Sequence, residues 1–244
     1  HFNIQIGIGM REDRWPGAEF WEKQADRTLN FTGLLERSEV VVCGIDGGGL
    51  DDLFGLAVVG RDRQTKSWLV WSHAWCHVSV LERRQTIAAT LRDFAANGEL
   101  TIVQDELDDV SEIVAIVKTI KEAGVLGCVA VDPAGIGEFV DALAEIQVTP
   151  ETKQVIGAPQ GYQMMNALKT AERKLANGTL WHSDSALMRW AVANLKVEAT
   201  ATAIRTTKQN AGDLKIDPAI AMFNAVQVLT QLPAKAPEYQ LIFA

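Results

Sequence analysis

Val40-Val41-Val42-Cys43-Gly44-Ile45-Asp46-Gly47-Gly48-Gly49-Leu50-Asp51-Asp52 decides how the rest of the chain is read. Apolar, β-forming side chains run almost unbroken into one carboxylate, and three glycines follow at once. A short apolar run bounded by turn residues reads as a strand buried on both faces. Asp46 then stands where a central strand leaves its sheet. The glycines permit a tight turn and leave no Cβ between the backbone and a ligand. An apolar segment resumes at 53–60, so the whole reads as strand, turn, strand. A carboxylate on the end of a rigid strand suits a metal or a phosphate site. Asp-Gly is equally an ordinary hairpin signal, and on this stretch alone the two readings balance.

Outward from the hairpin the pattern changes period. A third strand is expected at 67–74, a helix at 80–96, a short strand at 100–103 and a helix at 109–123. A second buried strand, 126–131, ends in Asp132. Then come a helix at 136–146, a strand at 154–158, a helix at 162–176 and an extended piece at 179–182. A helix at 185–195 takes Ser183 or Asp184 as its cap. Residues 196–206 read as β-like, 207–214 as a polar loop. Asp217-Pro218 opens a last helix over 219–229, with Pro in its first turn. Strands alternating with helices give an α/β fold, a mixed sheet flanked by helices. Residues 1–39 lack a strand pattern and read as a linker holding one short helix at 18–29. The core is expected at 40–232 and a C-terminal tail at 233–244.

With 244 residues, 48% hydrophobic and 22% charged, the chain has room for one large domain. It holds no run of eighteen apolar residues and no basic-then-apolar leader, which argues against a membrane span or secretion. It does not open on Met, and is expected to be part of something longer. A formal net charge of −8 argues against a free-standing nucleic-acid binder but leaves room for an enzyme with a local basic groove. Of three cysteines, Cys43 and Cys128 fall in predicted strands, as reduced core residues do.

The chemistry is expected where strands end. Asp46 and Asp132 each end a buried strand, and neighbouring parallel strands would set them side by side. Asp217 begins a helix that can pack across them. Three carboxylates in one cleft repel one another unless a divalent cation intervenes. Hard oxygen ligands suit Mg²⁺ or Mn²⁺. Two such ions, about 3.5–4 Å apart, would serve phosphodiester hydrolysis. Singly, each acid has a plain reading as turn or cap. Asp52, beside the next strand, is the candidate at the site's outer edge. His73, Cys76 and His77 lack the second pair a zinc finger needs. His182 reads as a polar strand-end residue that can approach the site. Arg205, Lys208 and Lys215 read as loop cations able to touch DNA phosphates.

Three stretches together carry a resemblance. Cys43-Gly44-Ile45-Asp46 with its glycine turn, Val129-Ala130-Val131-Asp132-Pro133, and Lys215-Ile216-Asp217-Pro218-Ala219-Ile220-Ala221 resemble, in order and spacing, the C-terminal nuclease domain of tailed-phage terminase large subunits. His182-Ser183-Asp184 to Trp190 and Asn194 resemble that family's approach to its last acid, and Trp15 to Trp21 its joint between motor and nuclease. The resemblance implies a ribonuclease H-like fold and metal-dependent endonuclease cutting of concatemeric double-stranded viral DNA. It implies Asp46, Asp132 and Asp217 as the metal-binding acids and the host cytoplasm as the location. It further implies an upstream ATPase motor, a small subunit and a portal as partners. The chain has no Gly-x-x-x-x-Gly-Lys-Ser/Thr loop, so residues 1–39 would be the tail of that motor domain rather than the motor. Two other classes compete: a sugar-kinase or actin-like ATP-binding phosphotransferase, for which Ile45-Asp46-Gly47-Gly48-Gly49 would be a phosphate loop, and a non-catalytic packaging module.

Overall fold

The structure, a computed structural model, describes residues 14–105, 107–132, 137–199, 204–208 and 214–233, with only the backbone at 199 and 204–208. Its centre is the quoted stretch. β1 (Ser38–Gly47) and β2 (Phe54–Asp62) form an antiparallel hairpin in which Asp46 pairs with Gly55 and Ile45 with Leu56. β3 (Trp68–His77) pairs antiparallel with β2. The helix expected at 80–96 is two, α2 (Val78–Arg83) and α3 (Gln85–Ala96), because Arg84 leaves the helical region at φ −114°, ψ 57°. Then follow β4 (Leu100–Val103), α4 (Asp108–Glu122), β5 (Leu126–Val131), α5 (Gly137–Glu145), β6 (Val155–Gly157), α6 (Met165–Ala176), β7 (Leu180–His182) and α7 (Ala186–Asn194). The β-like stretch near 200 is a separate ribbon of β8 (Leu195–Ala199) and β9 (Ile204–Lys208), and α8 (Asp217–Leu229) closes the fold.

Among the described residues the main sheet has the order β4-β3-β2-β1-β5-β6, with β7 also on the outer side of β3. Only β2 runs against its neighbours; β1, β5 and β6 are parallel, as are β3, β4 and β7. This is the mixed α/β sheet that the sequence pattern predicts.

The pleat sorts β1 and β5 onto two cores. Val41, Cys43, Ile45, Val129 and Val131 face Ile113, Val117 and Ile120 of α4 and Phe139 of α5. Val42, Cys128 and Ala130 face α6 and α8. Cys43 and Cys128 thus lie on opposite faces, both buried and free. A helix apolar on all sides belongs inside, and α8 is buried at every position from Asp217 to Val226. Glycines let it come down onto the strands. A Cβ on Gly44 would lie 1.8 Å from the Ala221 carbonyl oxygen, and one on Gly55 2.8 Å from that of Asp217.

The expectation of a linker over 1–39 is corrected for its described part. Residues 14–39 pack onto the body, because their aromatic side chains have nowhere drier to go. Trp15 and Trp21 are buried; Trp15 meets Phe223 edge-on at 5.0 Å, and Trp21 stacks on His182 at 4.0 Å. The helix expected at 18–29 is two 3₁₀ turns, Pro16–Glu19 and Trp21–Gln24. A helix the pattern did not suggest, α1 (Phe31–Arg37), starts where Asn30 Oδ1 accepts from Gly33 N at 2.9 Å and buries Leu34. Residues 1–13 and the tail from 234 lie outside the described residues.

Candidate metal centre

Asp46 continues the alternation of Val42 and Gly44, so it shares the face that α8 covers. Its antiparallel partner Gly55 gives the same direction, because directly paired residues point to the same side, and Gly55 lies against Asp217. β5 is paired with β1 up to Ile45↔Val131. Asp132 follows at once, just past the end of β5 and two residues beyond the α8-facing Ala130; continued pleating would turn it to the same side. Asp217 opens α8, 1% exposed, with Pro218 in the first turn. A Cβ on Gly47 would lie 3.3 Å from Asp217 Oδ1 and 2.0 Å from the Leu53 carbonyl oxygen, and Gly47 holds φ +88°. Glycine is thus required there twice, by conformation and by the space beside the acid.

The fold therefore brings the elements of Asp46, Asp132 and Asp217 to one corner, at the carboxyl end of the central strands. Among the described residues no three His, Cys, Asp or Glu side chains are grouped so as to hold a metal ion, so the carriers of the three acids meet while their carboxylates are not gathered into a ligand set. The acids at this corner are oxygen donors carried on three separate elements. That fits a hard cation such as Mg²⁺, which keeps several waters and takes one or two carboxylates. A structural zinc site needs a closed soft shell.

The glycine turn is strapped down. Gly48 N donates to the Leu53 carbonyl at 3.0 Å, closing the hairpin on itself instead of opening amides toward a phosphate. This counts against the kinase-like loop. At the tip, Ser79 Oγ and Arg83 Nη1 donate to the Leu50 carbonyl at 2.8 and 3.2 Å, and Arg84 Nη2 pairs with Asp51 Oδ2 at 2.6 Å. The Arg84 guanidinium, chiefly through this hydrogen bond, holds the Asp51 carboxyl below its ordinary range.

Lys215 departs from its expected role. It is 5% exposed; its Nζ donates to Asp52 Oδ1 at 2.7 Å and to the Asp51 carbonyl at 2.9 Å. Rather than reaching from a loop for phosphate, it ties the approach to α8 onto the hairpin. The negative charge of Asp52 is matched by Lys215, which competes with its expected place at the metal's edge. Arg205 and Lys208 fall on β9, where the backbone alone is described.

The described histidines make contacts within the fold. His182 is buried away from the acids, at the opposite end of β3; its Nε2 lies 2.8 Å from the Trp21 carbonyl, and burial lowers its pKa. His73 Nε2 lies 2.9 Å from Thr101 Oγ1, and burial pushes its imidazole down to about 4. His73 and Cys76 project from opposite faces of β3, and His77 caps α2 by accepting from Ser79 N. Ser185, not Ser183 or Asp184, caps α7, its Oγ accepting from Met188 N at 3.1 Å.

Two polar residues escaped the sequence reading. Asn224, 0% exposed, donates from Nδ2 to the Ile45 carbonyl at 2.8 Å, and Gln160 Nε2 donates to Asn224 Oδ1 at 3.0 Å. A lone Asn inside the apolar run 216–229 was the available signal.

Solved structures share this fold. The large terminase of bacteriophage HK97 is 23% identical, with a TM-score of 0.70, over 86% of this chain and 42% of that one. The magnesium-bound large terminase nuclease of the thermophilic phage G20c is 13% identical, with a TM-score of 0.52, over 89% of this chain and 98% of that one. The chain thus spans less than half of the HK97 protein, and at these identities the likeness establishes the fold, the ribonuclease H-like sheet of terminase nucleases. No curated protein matches the chain. The family model described as "Terminase large subunit, endonuclease domain" matches residues 1–231, and the chain belongs to that family.

Proposed function

We propose that this chain is a divalent-metal-dependent endonuclease that cuts double-stranded DNA during viral genome packaging. The observation that carries the reading is the placing of Asp46, Asp132 and Asp217 on adjoining parallel strand ends and the first turn of one buried helix. Asp46, between the other two elements, would hold both ions of a pair, and Asp132 and Asp217 would each anchor one. Mg²⁺ or Mn²⁺ ions held there would supply an activated water and stabilise the leaving oxygen. The G20c nuclease has structures with magnesium and with cobalt, which supports a divalent cofactor here. Asp52 and Lys215 fix the glycine hairpin at the rim, and Gly47 keeps the space beside Asp217 clear for the substrate phosphate.

Concatemeric DNA is the substrate in this reading, with an upstream ATPase motor, a small subunit and a portal as partners in the host cytoplasm. Membership of the terminase family supports these assignments. Among the described residues no helix is long and apolar enough to cross a membrane. Incubation with supercoiled plasmid tests the activity. Nicking and linearisation are expected with Mg²⁺ or Mn²⁺ and none in EDTA, without a preferred sequence and weakening with salt. Undiminished cutting in EDTA, or an inert protein in both metals, would contradict the proposal.

A further inference from the structure

We infer that Asn224 and Gln160 are positioning residues that hold the carriers of the three acids in register, an inference that rests on reading those acids as the metal ligands. Asn224 lies two turns along α8 from Asp217 and donates to the carbonyl of Ile45, the residue before Asp46. Its Oδ1 accepts from Gln160 Nε2, which also donates to the Ala158 carbonyl at 3.1 Å. Ala158 N in turn donates at 2.7 Å to the carbonyl of Val131, the residue before Asp132. One relay thus joins α8, the end of β1 and the end of β5. The paired register of β1 with β5 runs to Ile45↔Val131, and the relay attaches at that same rung.

The relay has a single sensible orientation. Ile45 and Ala158 present carbonyl acceptors, so both amide nitrogens face them and the Asn224 oxygen is left for Gln160. A buried amide in an otherwise apolar helix is disfavoured unless both ends are bonded. Leucine has the same branched shape, slightly larger, without that desolvation. What the amide adds is a fixed distance between α8 and the strand end at Asp46. Groups that orient metal ligands without touching the metal typically alter affinity by roughly 10–100-fold when removed.

Mn²⁺ titration, followed by the electron paramagnetic resonance of the free ion, tests this on the wild-type chain and on Asn224→Leu, Gln160→Leu and Asp46→Asn. Melting temperatures are measured on the same samples. Asn224→Leu and Gln160→Leu are expected to weaken Mn²⁺ binding roughly tenfold while melting within a few degrees of wild type. A packing role would do the reverse, lowering the melting temperature and leaving the affinity alone, and that result overturns the inference. Wild-type affinity in both Leu variants overturns it too, while loss of binding in Asp46→Asn keeps the ligand reading standing. Gln160 is only partly buried, so Gln160→Leu decides the matter if Asn224→Leu does not fold. Mn²⁺ held by Asp46→Asn as tightly as by wild type overturns the ligand reading and the inference with it.

Discussion

Asp46, Asp132 and Asp217 differ in what holds each in place, and their Asn variants should differ accordingly. Asp46→Asn keeps the size and removes the charge shared by both ions, so plasmid cleavage should be lost. Asp132→Asn and Asp217→Asn should each cost at least ~10²-fold, comparable to removing one stabiliser of transition-state charge. Asp52→Asn should be milder, since its carboxylate is paired with Lys215 rather than reserved for a metal ion. If the acids were only turn and cap residues, Asn would serve as well and cutting would be near normal. The histidines make a separate prediction. Burial depresses His73 from 6.5 to about 4, so below pH 6.5 the unfolded chain takes up a proton that the folded chain refuses. Stability should therefore fall as the pH drops from about 6.5 toward about 4, with His182 adding in the same direction. Asp26, held low chiefly by the Thr28 hydroxyl, acts only below its ordinary 3.8. Melting curves between pH 7 and 4.5 should show the slope, and His73→Gln should flatten it. The three candidate acids stand out in the sequence because each ends or begins an apolar run. Lys215 was misread because nothing in its own neighbourhood tells that the segment folds back onto residues 51 and 52. Asn224 matters only through the register of a distant strand.

Gly44 shows how the elements meet. In sequence it interrupts a strand; in the fold it is where the Ala221 carbonyl of α8 touches β1. Gly44→Ala should force α8 off the sheet and lower stability by about 1–3 kcal/mol, the usual range for overpacking. Because α8 bears Asp217, the change should also weaken cleavage more than the stability loss explains. Urea melts and plasmid cleavage on the same protein check both parts. Gly49, at φ +91° with nothing near its missing Cβ, is the contrast: alanine there should affect backbone strain alone. Strands were read well because their apolar runs are continuous. Helix limits were read less well where one residue decides them. Arg84 breaks α2 from α3 through a backbone angle that its side chain does not announce. At seven residues, α1 is too short for its apolar positions to establish a period.

At the scale of the whole molecule the segment 14–39 changes the account. Its tryptophans were visible in the sequence, but without knowing which surface receives them they read as a linker. Docked, Trp15 closes α8 from outside and Trp21 covers His182. Trp15→Ala should cost about 3–5 kcal/mol, as large aromatic deletions in cores do, and protease should spare residues 14–37 in the native protein. Rapid native-state cleavage there with the rest left folded would show the segment to be dispensable. The fold class could be read early because alternation of strand and helix leaves few topologies. The crossing of α8 over Gly44 and Gly55, on which convergence of the acids would depend, could not. Diffraction from a crystal soaked in Mn²⁺, recorded at the manganese edge, tests that convergence most directly. Anomalous density is expected at the corner bounded by Asp46, Asp132 and Asp217, within coordination distance of Asp46. A well-soaked crystal with manganese bound elsewhere and no density at that corner would contradict the metal centre.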